Sequence, residues 1–201
     1  MYGITLAVTA CLRSGTRADV AWLVSTEGLP VDDWSDAMML TPGGGRIGSL
    51  AGGAIDNKLS DLAGRWSAGR LVDVEVSEID ALIAGLPTAG SARCLLVPAD
   101  QLPIELWELT TTRQPVCLVF GMEGDQVAET SLYTVETIGD AGPAGAELFA
   151  AGSSGSTIVD DQVITVLRPV PQLVVVGDTP VADALTELAA LVGWRTRVLS
   201  D

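Results

Sequence analysis

The hydrophobic pattern cuts the chain into short apolar runs separated by glycine, proline and acid. "ITLAVTACL" (4–12) is rich in Thr and Val and predicts a buried strand; "DVAWLVST" (19–26) predicts a second. "AMMLT" and "RIGSL" flank "PGGG" (42–45), the pattern of a glycine hairpin. After Gly53, the residues Ile55, Leu59, Leu62 and Trp66 recur at helical spacing, with Gly69 as the stop. "LVDVEV" (71–76) alternates apolar and acidic positions, as a half-buried strand does. Ser77 and Asp80 have the spacing of a capping box for a helix over "EIDALIAGL" (78–86).

The same reading predicts strands at "ARCLLVP" (92–98), "PVCLVFG" (115–121), "ETSLYTVET" (129–137) and "QVITVLRPV" (162–170). It predicts helices at "PIELWELTTT" (103–112), with Pro103 in the first turn, and at "AGAELFAAG" (144–152). "SSGS" (153–156) is expected as a loop and Asp160-Asp161 as a hairpin turn. Trp66, Trp107 and Trp194 lie on apolar faces and are expected in the core.

A composition shift follows the prolines at 169 and 171. "PQLVVVGDTPVADALTELAALVGWRTRVLSD" (171–201) has the order strand, glycine turn, helix, strand, with Val181, Leu185, Leu188 and Leu191 on one helical face. The expected class is therefore α/β. Residues 1–167 form an N-terminal domain with a mixed sheet, and 168–201 a linker plus the first βαβ unit of a Rossmann-like domain, its strands parallel.

Composition narrows the chemistry. The 201 residues carry a formal net charge of −15 and no histidine. The charge disfavours nucleic acid and anionic membrane as partners. Lack of histidine removes the usual neutral-pH base, the Ser-His-Asp and Cys-His nucleophile systems and most zinc sites. Cys11, Cys94 and Cys117 are far apart in apolar runs, the pattern of buried reduced thiols. No leader and no apolar run of about 18 residues is seen, so a soluble cytoplasmic protein is expected.

The stretch "RIGSLAGGAIDNK" (46–58) raises the sharpest question of ligand binding. A strand-to-helix turn with bare amides makes an anion nest, and Gly52 and Gly53 permit the positive φ it needs. A tight turn with no ligand is the plainer reading. Asp56, in the first helical turn, suits the helix dipole and would repel a docked anion. In the C-terminal unit Gly177 holds the first position of a dinucleotide fingerprint. Thr179 and Ala182 stand where the second and third glycines belong, Pro180 lacks a donor, and Asp201 falls near the spacing of a ribose-binding acid. Asp32, Asp33 and Asp36 around Trp34 fit no Ca²⁺ loop.

"MMLTPGGGRIGSLAGGAIDNKL" resembles the XdhC/CoxI family of molybdoenzyme accessory proteins, in which a hairpin leads into Gly-Ser-x-Ser-Gly-Gly-Cys-x-Glu and a helix. "AVTACLRSG" takes the place of that family's first strand and its Gly-Ser-Ala-Pro-Arg loop. "GLPTAG" (85–90) takes that of a Cys-Gly-Gly, and "VITVLRPVPQLVVVGDTPVADALTELAALVGWRTRVLSD" that of the linker and Rossmann start. The departures are chemical: Ala54 replaces the cysteine after Gly-Gly, Asp56 the glutamate, Thr88-Ala89-Gly90 the second cysteine motif, and Arg17-Ala18-Asp19 the Pro-Arg, followed by an insertion over 19–36.

The resemblance implies a non-enzymatic accessory protein that binds molybdenum cofactor (molybdopterin) or helps deliver it to a xanthine-dehydrogenase-type enzyme. Its implied partners are a molybdenum hydroxylase subunit and a second copy in a homodimer. Its implied ligand-facing residues are Arg46, Ser49, Gly52, Gly53 and Asp56, with Gly177 and Asp201 in the C-terminal unit. A thiolate suits metal or sulfur transfer and an alanine methyl does not. Two alternatives stand beside this reading: a structural or regulatory paralogue without cofactor binding, and a fragment of an NAD(P)-binding oxidoreductase, which the broken glycine pattern disfavours.

Overall fold

The computed structural model describes residues 1–31, 33–192 and 194–199. It contains two compact units, Met1–Arg168 and a second beginning at Pro169. The first is built on nine strands: β1 (Asp19–Glu27), β2 (Met38–Leu40), β3 (Arg46–Ile47), β4 (Arg70–Val76), β5 (Gly90–Pro98), β6 (Val116–Glu123), β7 (Gln126–Tyr133), β8 (Gly155–Val159) and β9 (Gln162–Leu167). They form one sheet in the order β3-β2-β1-β5-β4-β7-β6-β9-β8. Among the described residues every pairing in it is antiparallel, so parallel pairing occurs in the second unit.

The sheet curls until β8 lies beside β1: the Ser156 hydroxyl donates to the Leu23 carbonyl at 3.3 Å. Trp22 Nε1 donates to Thr165 Oγ1 at 3.1 Å, and the Trp22 and Phe120 rings lie 5.6 Å apart inside this curl. Val20, Leu95, Leu118 and Leu167 complete the apolar interior. Alternate residues of a strand face opposite ways, so one side of each strand feeds this core and the other feeds a second apolar cluster or solvent.

Residues 4–12 are not a strand. Thr5–Ser14 form helix α1. Met1, Ile4 and Val8 are buried while Leu6 is 79% exposed, a helical stripe that the Thr- and Val-rich composition concealed. Gly15, at φ 68°, ends the helix, and the Thr16 amide returns to the Cys11 carbonyl. The first strand is thus β1, and the loop leaving it is 28–37. Residues 15–18 thus join a helix to a strand, where the resemblance placed a loop leaving the first strand.

Helix α2 (Asp56–Ser60) is shorter than the spacing of Ile55, Leu59, Leu62 and Trp66 predicts. Gly64, at φ 76°, gives its amide to the Asp19 carboxylate and turns the chain away before Gly69. Leu62 and Trp66 still pack beside Ile55 and Leu59. Helix α3 (Glu78–Ile83) has the expected reciprocal capping box between Ser77 and Asp80. Helices α4 (Ile104–Thr111) and α5 (Gly142–Ala150) match their predicted positions. The predicted loop 153–156 instead runs into β8, whose hairpin to β9 turns at Asp160, φ 50°.

The second unit contains β10 (Gln172–Val176), α6 (Pro180–Leu191) and β11 (Arg195–Leu199). The strands pair in parallel, Gln172 with Arg195 through Val176 with Leu199. Helix α6 seats its small residues Ala182 and Ala189 inward. Val181, Leu185, Leu188 and Leu191 lie outside, Leu191 at 83% exposure, and Trp194 is half exposed rather than core. Two strands offer too little surface to cover both faces of that helix. Among the described residues no helix is long and apolar enough to cross a membrane.

Candidate functional site

The Gly52–Gly53 bend is reached from the β2–β3 hairpin. Gly48, at φ 87°, leaves β3 so close to the Ala37 carbonyl that a side chain there would collide with it. Leu50 then anchors the chain in the core, 1% exposed. Ala51, Gly52 and Gly53 all take positive φ, at 48°, 63° and 94°. That sequence of left-handed residues explains the paired glycines.

The bend satisfies much of its own backbone. The Gly53 amide donates to the Leu50 carbonyl at 2.9 Å, and the Ala54 amide to the Ala51 carbonyl at 3.1 Å. Asp56, 6% exposed, points back and accepts the Leu50 amide at 3.0 Å. Asp56 is therefore the internal brace of the bend and not an outward-facing ligand; its place in the first turn of α2 also suits the helix dipole. Of the bend's amides, those of Ala51 and of exposed Gly52 have no acceptor among the described residues.

Around the bend, Arg46 donates to Asn57 Oδ1 at 2.8 Å, and the Ser49 hydroxyl stands beside Gly53. Lys58 reaches the Glu75 carbonyl and Asp80 Oδ2, both under 3 Å. A methyl group on Gly52 would stand 3.0 Å from the Ala84 carbonyl and 3.9 Å from the Leu86 side chain. The fold thus brings the 52–54 bend against the chain entering "GLPTAG", two stretches more than 30 positions apart. Sequence reasoning missed Asn57, Lys58 and Ala84; only the hairpin's path places Arg46 over Asn57, and no local signal marks it.

Neither stretch carries a thiol. Ala54 follows the glycines, and Thr88 uses its hydroxyl on the Gly28 carbonyl. Cys94 is buried in β5, and burial pushes its pKa up to about 12; burial likewise pushes Cys117 up to about 11. Both stay protonated at neutral pH and cannot supply a thiolate. Among the described residues no group of three His, Cys, Asp or Glu side chains could hold a metal ion. Asp33 accepts the Ser35 amide in a local turn, and Asp32 lies outside the described residues. Arg17, on a 340 Å³ cleft with Ser67 and Asp100, is engaged by Asp19 at 3.4 Å and by the Trp66 carbonyl.

In the second unit Gly177, at φ 104°, gives its amide to the Leu199 carbonyl at 2.9 Å. Thr179 Oγ1 caps α6 by accepting the Ala182 amide at 3.3 Å, and Pro180 contributes no donor. The Ala182 and Asp183 amides of the first turn are thus both turned onto Thr179. Asp201, the candidate ribose acid, lies outside the described residues.

These features define an α/β protein: a curled antiparallel sheet with a thiol-free glycine bend, and a small parallel βαβ unit. Among solved structures it is similar to the crystal structure of a xanthine dehydrogenase from Bacillus halodurans, with a TM-score of 0.56 and 17% identity. The match covers 96% of this chain and 61% of that one, so the chain spans less than two thirds of its neighbour's length. At this identity the likeness concerns the fold. No protein-family model and no curated protein matches the chain.

Proposed function

We propose that this chain is a non-enzymatic accessory protein of the XdhC/CoxI type, without a thiol at its glycine bend, that acts by docking on a xanthine-dehydrogenase-type molybdenum hydroxylase. The observation that carries the reading is the fold likeness, across nearly the whole chain, to a protein named a xanthine dehydrogenase. The ordered family-like motifs in the sequence point the same way.

The donor set does not fit the metal end of molybdenum cofactor. Alanine and threonine stand at the positions where the resemblance expects sulfur, and the buried thiols are protonated. Arg46, Ser49 and the Gly52 amide match only an anionic phosphate group, and Arg46 is already shared with Asn57. Sulfur transfer is therefore no part of the proposed role.

The test is direct binding between the purified chain and a molybdenum hydroxylase encoded in the same genome, followed by interferometry. Saturable binding is expected, together with cofactor retention no greater than that of a control protein. Failure to bind the hydroxylase in either its cofactor-free or its loaded form overturns the docking role. Cofactor retention abolished by Arg46→Ala would replace it with a carrier role, favoured by the clustering of Arg46, Ser49 and Gly52. The capped start of α6 predicts no change in Trp194 fluorescence on titration with NAD(H).

A further inference from the structure

We infer that the cleft between the C-terminal end of α1 and the loop 64–69 is a binding site for a small free amino acid, held as its zwitterion. The inference is independent of the accessory role.

The cleft holds about 340 Å³. That is the small end of ligand sites, which run from about 300 to 1,000 Å³. It opens where β1 begins and β5 ends, at the pair Asp19 and Pro98. Gly28 and Thr88 meet at the other end of those two strands, so the cleft is separate from them. Leu12, Ala18 and Pro98 line it with apolar surface, and Arg17, Ser67 and Asp100 with polar groups.

The wall formed by the loop is braced from outside. The Asp19 carboxylate takes the Gly64 amide, and Arg17 donates to the Trp66 carbonyl. Gln101 donates to the Ser67 carbonyl and accepts the Gly69 amide. None of these bonds uses the Ser67 hydroxyl. That hydroxyl, Arg17 Nη1 and the Asp100 carboxylate have no partner among the described residues. Polar groups presented on a wall already fixed lose little freedom when a ligand arrives.

Charge selects the ligand. Buried Asp19 lies 3.4 Å from Arg17 and offsets its charge. Arg17 therefore offers N–H donors with little net field, and its Nη1 together with the Ser67 hydroxyl can serve a carboxylate. Asp100 has no cation of its own. Helix α1 also ends at this cleft, at Gly15, and so turns its negative dipole end toward it. Both features favour an ammonium group. The net charge of −15 repels a ligand whose groups are all anionic. A carboxylate and an ammonium on one short apolar body make an amino acid, its body lying against Leu12 and Pro98.

Isothermal titration of the full chain tests this with three probes: L-lysine, n-butylamine and succinate. L-Lysine, a zwitterion with a further positive charge, should bind saturably at one site per chain. Butylamine lacks the carboxylate and succinate lacks the ammonium. Each should bind at least about tenfold more weakly, the loss of one charge-assisted hydrogen-bonding group. Asp100→Asn should weaken lysine binding by about tenfold as well. Asp100 is exposed and bonds nothing in the fold, so the variant should keep its melting temperature. Absence of saturable lysine binding overturns the inference. So does butylamine binding as tightly as lysine, which would be general attraction of cations to an acidic chain. Succinate binding as tightly as lysine, or lysine affinity unchanged by Asp100→Asn, overturns it too.

Discussion

The carboxylate of Asp56 accepts the backbone amide of Leu50 at 3.0 Å and so closes the glycine bend from inside. Removing it leaves a buried donor without a partner. Asp56→Ala should destabilise the first unit by about 1–3 kcal/mol. Asp56→Asn keeps an acceptor oxygen and should recover most of the loss. Urea denaturation of the two variants measures the difference; equal losses would show that the hydrogen bond is not what matters.

Gly48 carries a stricter backbone demand than Gly52. A Cβ on Gly48 meets the Ala37 carbonyl, a backbone atom that cannot swing aside, and φ is 87°. Gly48→Ala should cost about 2–4 kcal/mol, combining left-handed strain with displacement of the β2–β3 hairpin. Gly52→Ala stands a tight 3.0 Å from the Ala84 carbonyl, farther than Gly48→Ala stands from the Ala37 carbonyl, and should cost less, about 1–2 kcal/mol. Thermal unfolding of both proteins should preserve that order.

Trp22 and Thr165 are fully buried and hydrogen-bonded across the curl of the sheet. Thr165→Val conserves shape but strands the indole N–H, at a cost of about 1–3 kcal/mol. The hydroxyl of Ser156 also meets Thr165, at 3.0 Å, so the loss includes that contact. In a Trp22→Phe background the same threonine change should cost less. A double-mutant cycle with no coupling would show that the bond contributes nothing to closure.

The buried thiols impose an alkaline limit. Folding raises the Cys94 and Cys117 pKa values from 9.0 to about 12 and about 11. Above pH 9 the unfolded chain releases these protons while the folded chain retains them. Their contribution to stability is therefore complete below pH 9 and declines from there through about pH 11 for Cys117 and about pH 12 for Cys94. Cys94→Ala should flatten the fall in melting temperature across that window. Iodoacetamide at pH 8 should leave both residues unmodified until denaturant is added.

Where interaction is local, the sequence was legible. Ser77 and Asp80 cap α3 as their spacing requires, and Gly52 and Gly53 take the positive φ expected of a double glycine. Alternation in "LVDVEV" and the apolar runs of β5, β6 and β9 gave strands at those positions. Asp56 was readable as a helix N-terminal acid, but its inward turn to Leu50 was not, because that bond depends on the path of the whole bend.

The sequence alone determined which segments could bury apolar surface, where the chain had to turn, and that no histidine or family-type thiol was available for chemistry. It could not decide whether residues 5–14 were helix or strand. The Thr and Val content favours a strand, and only packing of Met1, Ile4 and Val8 onto the sheet core selects a helix. Nor could it show that the Asp56 carboxylate turns inward onto the Leu50 amide, or that Trp22 meets Thr165 across the curl. Those outcomes come from contacts between residues distant along the chain, whose energies exist only once the backbone has brought them together.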